Sequence, residues 1–208
     1  MKKTRKKQIL QNYFNLAFDY HVGAVALWQN IVPSDFLFSP VVFLLRHSIE
    51  LLLKALIINE AVSDVYLDSP NGIVIMHDGR KRRIDSIHSL IPLWTAYKEL
   101  ALSHKLILDF SDIEVNVLED NFSYWDNIDE NSTYYRYPYN KDGGANKVEP
   151  IGISLVEAVP AIGERIPYII CNDLDVRYIK KGERHLFKVK ELFDAAELLF
   201  SRVEILIK

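Results

Sequence analysis

The chain has 208 residues, 49% of them apolar and 12% aromatic, with 8 Gly and 8 Pro. That composition supports one packed core of ordinary size, with or without a sizeable insertion, and excludes wholesale disorder. A formal charge of -3 at pH 7 excludes both a general nucleic-acid coat and an acidic solvating chain.

The charge is nevertheless uneven. Lys2, Lys3, Arg5, Lys6 and Lys7 make a basic start, read either as a solvated, frayed terminus or as an arm that steers RNA, whereas residues 109–130 are acidic. Cys171 is the sole cysteine, so neither an intrachain disulfide nor a thiolate zinc cluster can be built, which fits a reducing compartment. Gln8, Gln11, Asn12, Asn15 and Asp19 interrupt what a secretory signal would need as an apolar run. Residues 36–58 are the most apolar stretch, but Arg46, His47, Glu50 and Lys54 make it a poor membrane span. The expectation is a soluble, cytoplasmic chain with no membrane partner.

In chain order, residues 8–30 read as a first helix, because Ile9, Leu10, Tyr13, Phe14, Leu16, Ala17 and Tyr20 recur at helical spacing. Pro33 and Ser34 break the pattern. A second helix starts with Ser39 as N-cap and Pro40 at the first helical position, with Phe38 and Phe43 placed for a hydrophobic staple. It runs to about Asn59 and is apolar nearly all round, which predicts the central, most buried helix. The exception is a stripe of Arg46, His47, Glu50 and Lys54, confined to about a third of the circumference.

Residues 72–84 read as a hairpin turning at Asp78-Gly79. A third helix follows, capped by Ser89, with Pro92 in its first turn and an apolar face of Leu90, Leu93, Trp94, Tyr97, Leu100 and Ala101. Residues 112–118 predict a short helix, followed by an aromatic-rich loop holding Phe122, Tyr124, Trp125, Tyr134, Tyr135, Tyr137 and Tyr139. Residues 148–187, with β-branched and aromatic runs at 166–170 and 175–179, read as an insertion with some strand. A last helix, 190–207, sets Leu192, Phe193, Ala196, Leu199, Phe200, Val203 and Leu206 on one face. The fold expected is mainly α: one domain over residues 1–208, a helical bundle with an inserted β-hairpin and a second irregular or β insertion before the last helix.

Three short patterns point to a family. Arg46-His47 on an apolar helix is followed by Glu50 and then Lys54-Ala55-Leu56; His88-Ser89-Leu90 precedes Leu93; and Tyr134-Tyr135-Arg136-Tyr137-Pro138 comes later. In that order they resemble the signature second helix, the start of the next helix and the late Arg-Tyr-Pro motif of HEPN (higher eukaryote and prokaryote nucleotide-binding) domains, the last as in their substrate-binding branch. The resemblance touches about a quarter of the chain; the hairpin and residues 148–187 have no counterpart in it. It implies an up-and-down helical bundle, often a homodimer, that binds RNA or a nucleotide and works in toxin–antitoxin, abortive-infection or antiviral systems beside a cognate antitoxin or defence partner. Catalytic members of the family are metal-independent endoribonucleases with an Arg followed shortly by a His, two copies meeting across a dimer.

Arg83 and His88 have that order here, although they span the end of a hairpin and the start of a helix rather than one helix late in the domain. His47 and His88 are the candidate acids or bases for a ribose hydroxyl or leaving oxygen, and Arg83 a candidate for charge on the phosphorane. Arg46, His47, Glu50, Lys54, His88 and Arg136 are the candidate phosphate pocket, since arginine grips phosphate bidentately. The same stripe also reads as a structural ion-pair ribbon. Tyr134, Tyr135 and Tyr137 are candidates for stacking on unpaired bases or for docking a protein partner. The chain has no Gly-rich phosphate loop, paired-histidine zinc helix or nucleophile elbow, and no metal or cofactor is expected. Two functions stand side by side: an RNA- or nucleotide-phosphate-binding protein, with or without ribonuclease activity, and a non-catalytic dimeric interaction module.

Overall fold

Helix α2 (Phe38–Glu60) organises the molecule. Every residue from Ile49 to Ile58 is buried, as an almost wholly apolar helix requires, and three other helices pack against it. The computed structural model describes residues 2–29, 38–60, 74–77, 80–103, 110–129 and 176–208. Within them the fold is mainly helical, five helices and one two-stranded hairpin, and no helix is long and apolar enough to cross a membrane.

Helix α1 (Lys2–Gln29) lies along α2. Leu10, Ala17 and Ala24 are buried at intervals of seven, with Tyr13, Tyr20 and Leu27 packed beside them. Small residues on that seam let the backbones approach, and the Ser48 hydroxyl of α2 donates to the Ala17 carbonyl at 2.8 Å. The helix starts at Lys2, not at the predicted residue 8. Lys6 Nζ donates to the Asn59 carbonyl, and Lys7 Nζ to the Lys208 carbonyl at 3.3 Å. Both ammonium groups sit where helix-terminal carbonyls lack intrahelical partners and the helix dipole is negative.

Strand β1 (Val74–His77) pairs antiparallel with β2 (Arg80–Arg83), His77 opposite Arg80, and the expected turn at Asp78-Gly79 lies outside the described residues. A single 3-10 turn, Ile84–Ser86, then drives Ile84 and Ile87 into the core and leads into α3 (Leu90–Ser103). Trp94 of α3 is fully buried, edge-on to Phe110 and Phe122 with centroids 5.4 and 6.1 Å away.

Two further elements differ from the sequence reading. Helix α4 runs Asp112–Asp129, so Phe122, Tyr124 and Trp125 lie on a helix and not in a loop. Its start is a capping box: the Glu114 carboxylate accepts from the Ser111 N–H at 2.7 Å, and the Ser111 hydroxyl faces the Glu114 N–H at 3.3 Å. Leu118, Asn121, Phe122 and Trp125, all buried, then keep helical spacing through the aromatic cluster that disguises it. Helix α5 (Val176–Ile207) begins well before residue 190. The strand expected at 175–179 is thus corrected to helix from Val176 onward. Val176 and Ile179 carry strand propensity residue by residue, but with Leu186 and Val189 they continue the three-and-four spacing of Leu192, Ala196 and Leu199, and Gly182 is absorbed within the helix. Of the predicted insertion, residues 148–175 lie outside the described residues, as do Tyr134, Tyr135, Arg136 and Tyr137.

Candidate functional site

The polar stripe of α2 meets the start of α3 and the end of α4. Steps of four residues keep Arg46, Glu50 and Lys54 on one line, with His47 beside them. Glu50 gathers Lys54 and faces His47, whereas Arg46 pairs with Asp126.

Glu50 is the hub. Its side chain is only 3% exposed, and Oε1 accepts from Lys54 Nζ at 2.6 Å and from His88 Nδ1 at 3.1 Å. Oε2 faces His47 Nδ1 at 3.6 Å, a separation too long for a hydrogen bond. Burial alone pushes the Glu50 carboxyl up, but the imidazoles of His47 and His88 and the Lys54 ammonium outweigh it and hold the group well below the usual carboxylate range. Glu50 is therefore an anion, and the Lys54 cation, 5% exposed, is neutralised against it.

Arg46 belongs to a second cluster. Its side chain is 1% exposed, and Nη2 donates to Asp126 Oδ1 at 3.1 Å. Asp126 also takes the N–H of Leu90 at 3.0 Å on Oδ1, and the N–H of Ile91 and the Ser89 hydroxyl, both at 2.7 Å, on Oδ2. Asp126, from another helix, is the cap of α3, and Ser89 supplies a donor to it instead of capping the helix itself. Pro92 has no N–H to satisfy, so this carboxylate serves the free donors of the first turn. Arg46 Nε and Nη1 have no hydrogen-bond partner among the described residues.

The two histidines lie at the accessible edge. His47 is 17% exposed, edge-on to Tyr20 at 4.5 Å and stacked on Phe43 at 5.9 Å. His88 is 38% exposed. With an anionic acceptor on Nδ1, the proton sits on that nitrogen, and Nε2 is left to accept or, once the ring is protonated, to donate. A carboxylate that fixes tautomer and orientation in this way prepares an imidazole for acid–base work. Arg83, by contrast, is exposed and holds Asp85 with two hydrogen bonds, Nε to Oδ1 at 3.1 Å and Nη2 to Oδ2 at 2.7 Å. Arg83 and His88 thus have separate carboxylate partners.

Two residues enter that the sequence reading does not single out. The Tyr13 phenol of α1 is pushed up by burial and then by the negative charges of Asp85 and Glu50, so it stays protonated within electrostatic reach of both. In the sequence Asp126 is one acid among those of residues 109–130; its three contacts at the start of α3 make it a helix cap. Among the described residues no group of three His, Cys, Asp or Glu is placed to hold a metal ion.

No protein-family profile, curated protein or solved structure matches the chain.

Proposed function

We propose that this chain is a HEPN-like protein that binds an RNA or nucleotide phosphate at the accessible edge formed by His47 and His88, as a cytoplasmic homodimer in a toxin–antitoxin or phage-defence setting. The three ordered sequence motifs and the mainly helical fold support the family reading, and the setting rests on that resemblance alone. One observation carries the site. The His88 imidazole is oriented through Nδ1 by a buried, anionic Glu50, with 38% of its side chain open to an incoming ligand. In the enzymatic form, a metal-independent endoribonuclease, His88 and His47 divide the acid and base roles on the ribose hydroxyl and the leaving oxygen. Arg136, from the Arg-Tyr-Pro motif, or Arg83, once released from Asp85, supplies charge for the phosphorane.

The test is incubation of the protein with a synthetic RNA oligonucleotide in EDTA. Products ending in 2′,3′-cyclic phosphate, absent with His88→Ala and reduced with His47→Ala, support this reading. Cleavage or binding unaffected by both substitutions removes it.

A second reading is favoured by a different observation. Arg46, Glu50 and Lys54 are buried and paired inside the protein, as in a structural ribbon. On that reading the chain is a non-catalytic dimeric interaction module whose contacts lie elsewhere, and Tyr134 or Tyr135 substitution, not His47 substitution, breaks its complex.

A further inference from the structure

Three ion pairs border the accessible edge, and each cancels itself. Lys54 is held by Glu50, Arg46 by Asp126, and Arg83 by Asp85. The first two pairs are enclosed, whereas Arg83 lies at the surface with both Asp85 oxygens occupied. Asp126 accepts from three further donors at the start of α3, so its carboxylate acts throughout as an anion. Three positive charges thus meet three negative ones, and these pairs leave no charge over for a ligand.

Two imidazoles remain. His47 and His88 each present Nδ1 to an oxygen of the same carboxylate, Oε2 of Glu50 at 3.6 Å and Oε1 at 3.1 Å, so the rings flank a single acid. The aromatic rings that meet His47 carry no charge: Tyr20 of α1 lies edge-on at 4.5 Å and Phe43 stacks at 5.9 Å. The Tyr13 phenol, also on α1, is kept protonated by burial and by the negative charges of Asp85 and Glu50, so it adds none either. Imidazole is the side chain whose charge changes near neutral pH. A proton on His47 or His88 is therefore a charge this edge can gain without breaking an ion pair.

We propose that the His47–His88 edge takes up phosphate by proton-coupled binding: a phosphodiester anion enters together with one proton, which turns an imidazole into an imidazolium. This rests on the functional reading of the two histidines above and adds to it the source of the attraction. The proton comes from solvent and stays on the ring while the anion is bound; no bond of the ligand breaks. By linkage, affinity rises up to about tenfold for each unit the pH falls, per proton taken up. Attraction by fixed cations alone would show no such dependence.

The experiment is isothermal titration calorimetry of the full chain with a short oligouridylate lacking a terminal phosphate, whose own charge is constant across the neutral range. Each titration is run at several pH values and in two buffers of different ionisation enthalpy, so that the difference in heat counts the protons taken up. About one proton is expected for each anion bound, with affinity rising on acidification. The double variant His47→Asn, His88→Asn should bind weakly and take up none; thermal melting verifies that it is folded, and if it is not, the proton count of the parent chain decides alone. Asp85→Asn, a surface change that frees Arg83, supplies a fixed cation and should bind about fivefold more tightly at the alkaline end. Binding that needs the histidines but shows neither pH dependence nor proton uptake overturns the coupling and leaves the histidine site standing. An unchanged affinity in Asp85→Asn also counts against it, since a cation beside the edge then does nothing a proton is said to do. Equal binding by the parent and the double variant, or none by the parent at any pH, removes the histidine site and the coupling together.

Discussion

Replacing Asp126 by Ala is the sharpest test of how the polar stripe is built. Asp126 is 10% exposed and Arg46 1%, so the pair lies in a medium that screens little. The substitution strands a guanidinium with two nitrogens already lacking partners and frees the N–H groups of Leu90 and Ile91. Removing one member of a buried ion pair costs about 3–5 kcal/mol, and loss of a helix cap alone about 0.5–2 kcal/mol. These overlap, because the same carboxylate does both jobs, so about 3–5 kcal/mol is expected in total, a fall in Tm of roughly 6–20 °C for a chain of this length. Arg46→Met leaves Asp126 with its three other donors and should cost about 1–2 kcal/mol. Asp126→Ala in the Arg46→Met background should then cost only the cap, which makes the coupling between the two sites about 2–3 kcal/mol. Urea unfolding followed by the fluorescence of the buried Trp94 and Trp125 measures all four corners of the cycle. If Asp126→Ala costs under about 1 kcal/mol, or costs the same in both backgrounds, Arg46 and Asp126 do not form the lock described.

Three further expectations are separable from that one. Because Glu50 lies below the usual carboxylate range in the folded state, its contribution is full above about pH 4.3 and is lost as the pH falls below it; Glu50→Gln should remove this acid limb from urea titrations, and an unchanged limb would assign it to other carboxylates. His21 packs edge-on against Phe193 and Phe200, and burial pushes it down against the opposing pull of Glu197. Its neutral form thus stabilises the fold above the ordinary imidazole range and that contribution fades as the pH falls below about 6.5, so His21→Phe should flatten the stability profile there; a profile of unaltered slope counts against it. Gly23 lies inside α1, and a methyl group there meets Leu44 at an ordinary 3.5 Å, so Gly23→Ala should raise stability by about 0.5–1 kcal/mol, and a fall would mean that the α1–α2 seam is tighter than described.

What the sequence discloses follows from how local each interaction is. Helix α2 is legible because its neighbours in the chain are nearly all apolar, and Glu50–Lys54 because four residues make one helical turn. The length of α4 is not, since an aromatic cluster reads as readily as loop packing or partner surface, although Ser111 and Glu114 carry the start signal in plain view. In α5, the β-branched and aromatic run at 175–179 suggests strand over a short window, and only a longer window recovers the helical spacing. The role of Asp126 is invisible for a different reason. Its partners lie 80 residues away at Arg46 and 36 away at Leu90, and no local pattern tells a solvated acid from one that caps a distant helix.

Charge accounting decides what the stripe can offer a ligand. Arg46 and Lys54 bring two positive charges, Asp126 and Glu50 two negative ones, and all four are enclosed and paired. An incoming phosphate therefore meets no net attraction from the residues that look most suited to it in the sequence. It gains attraction there only when His47 or His88 takes up a proton, or when cations from outside the stripe come to it. Arg83, one anchored turn before His88, is likewise paired, with Asp85.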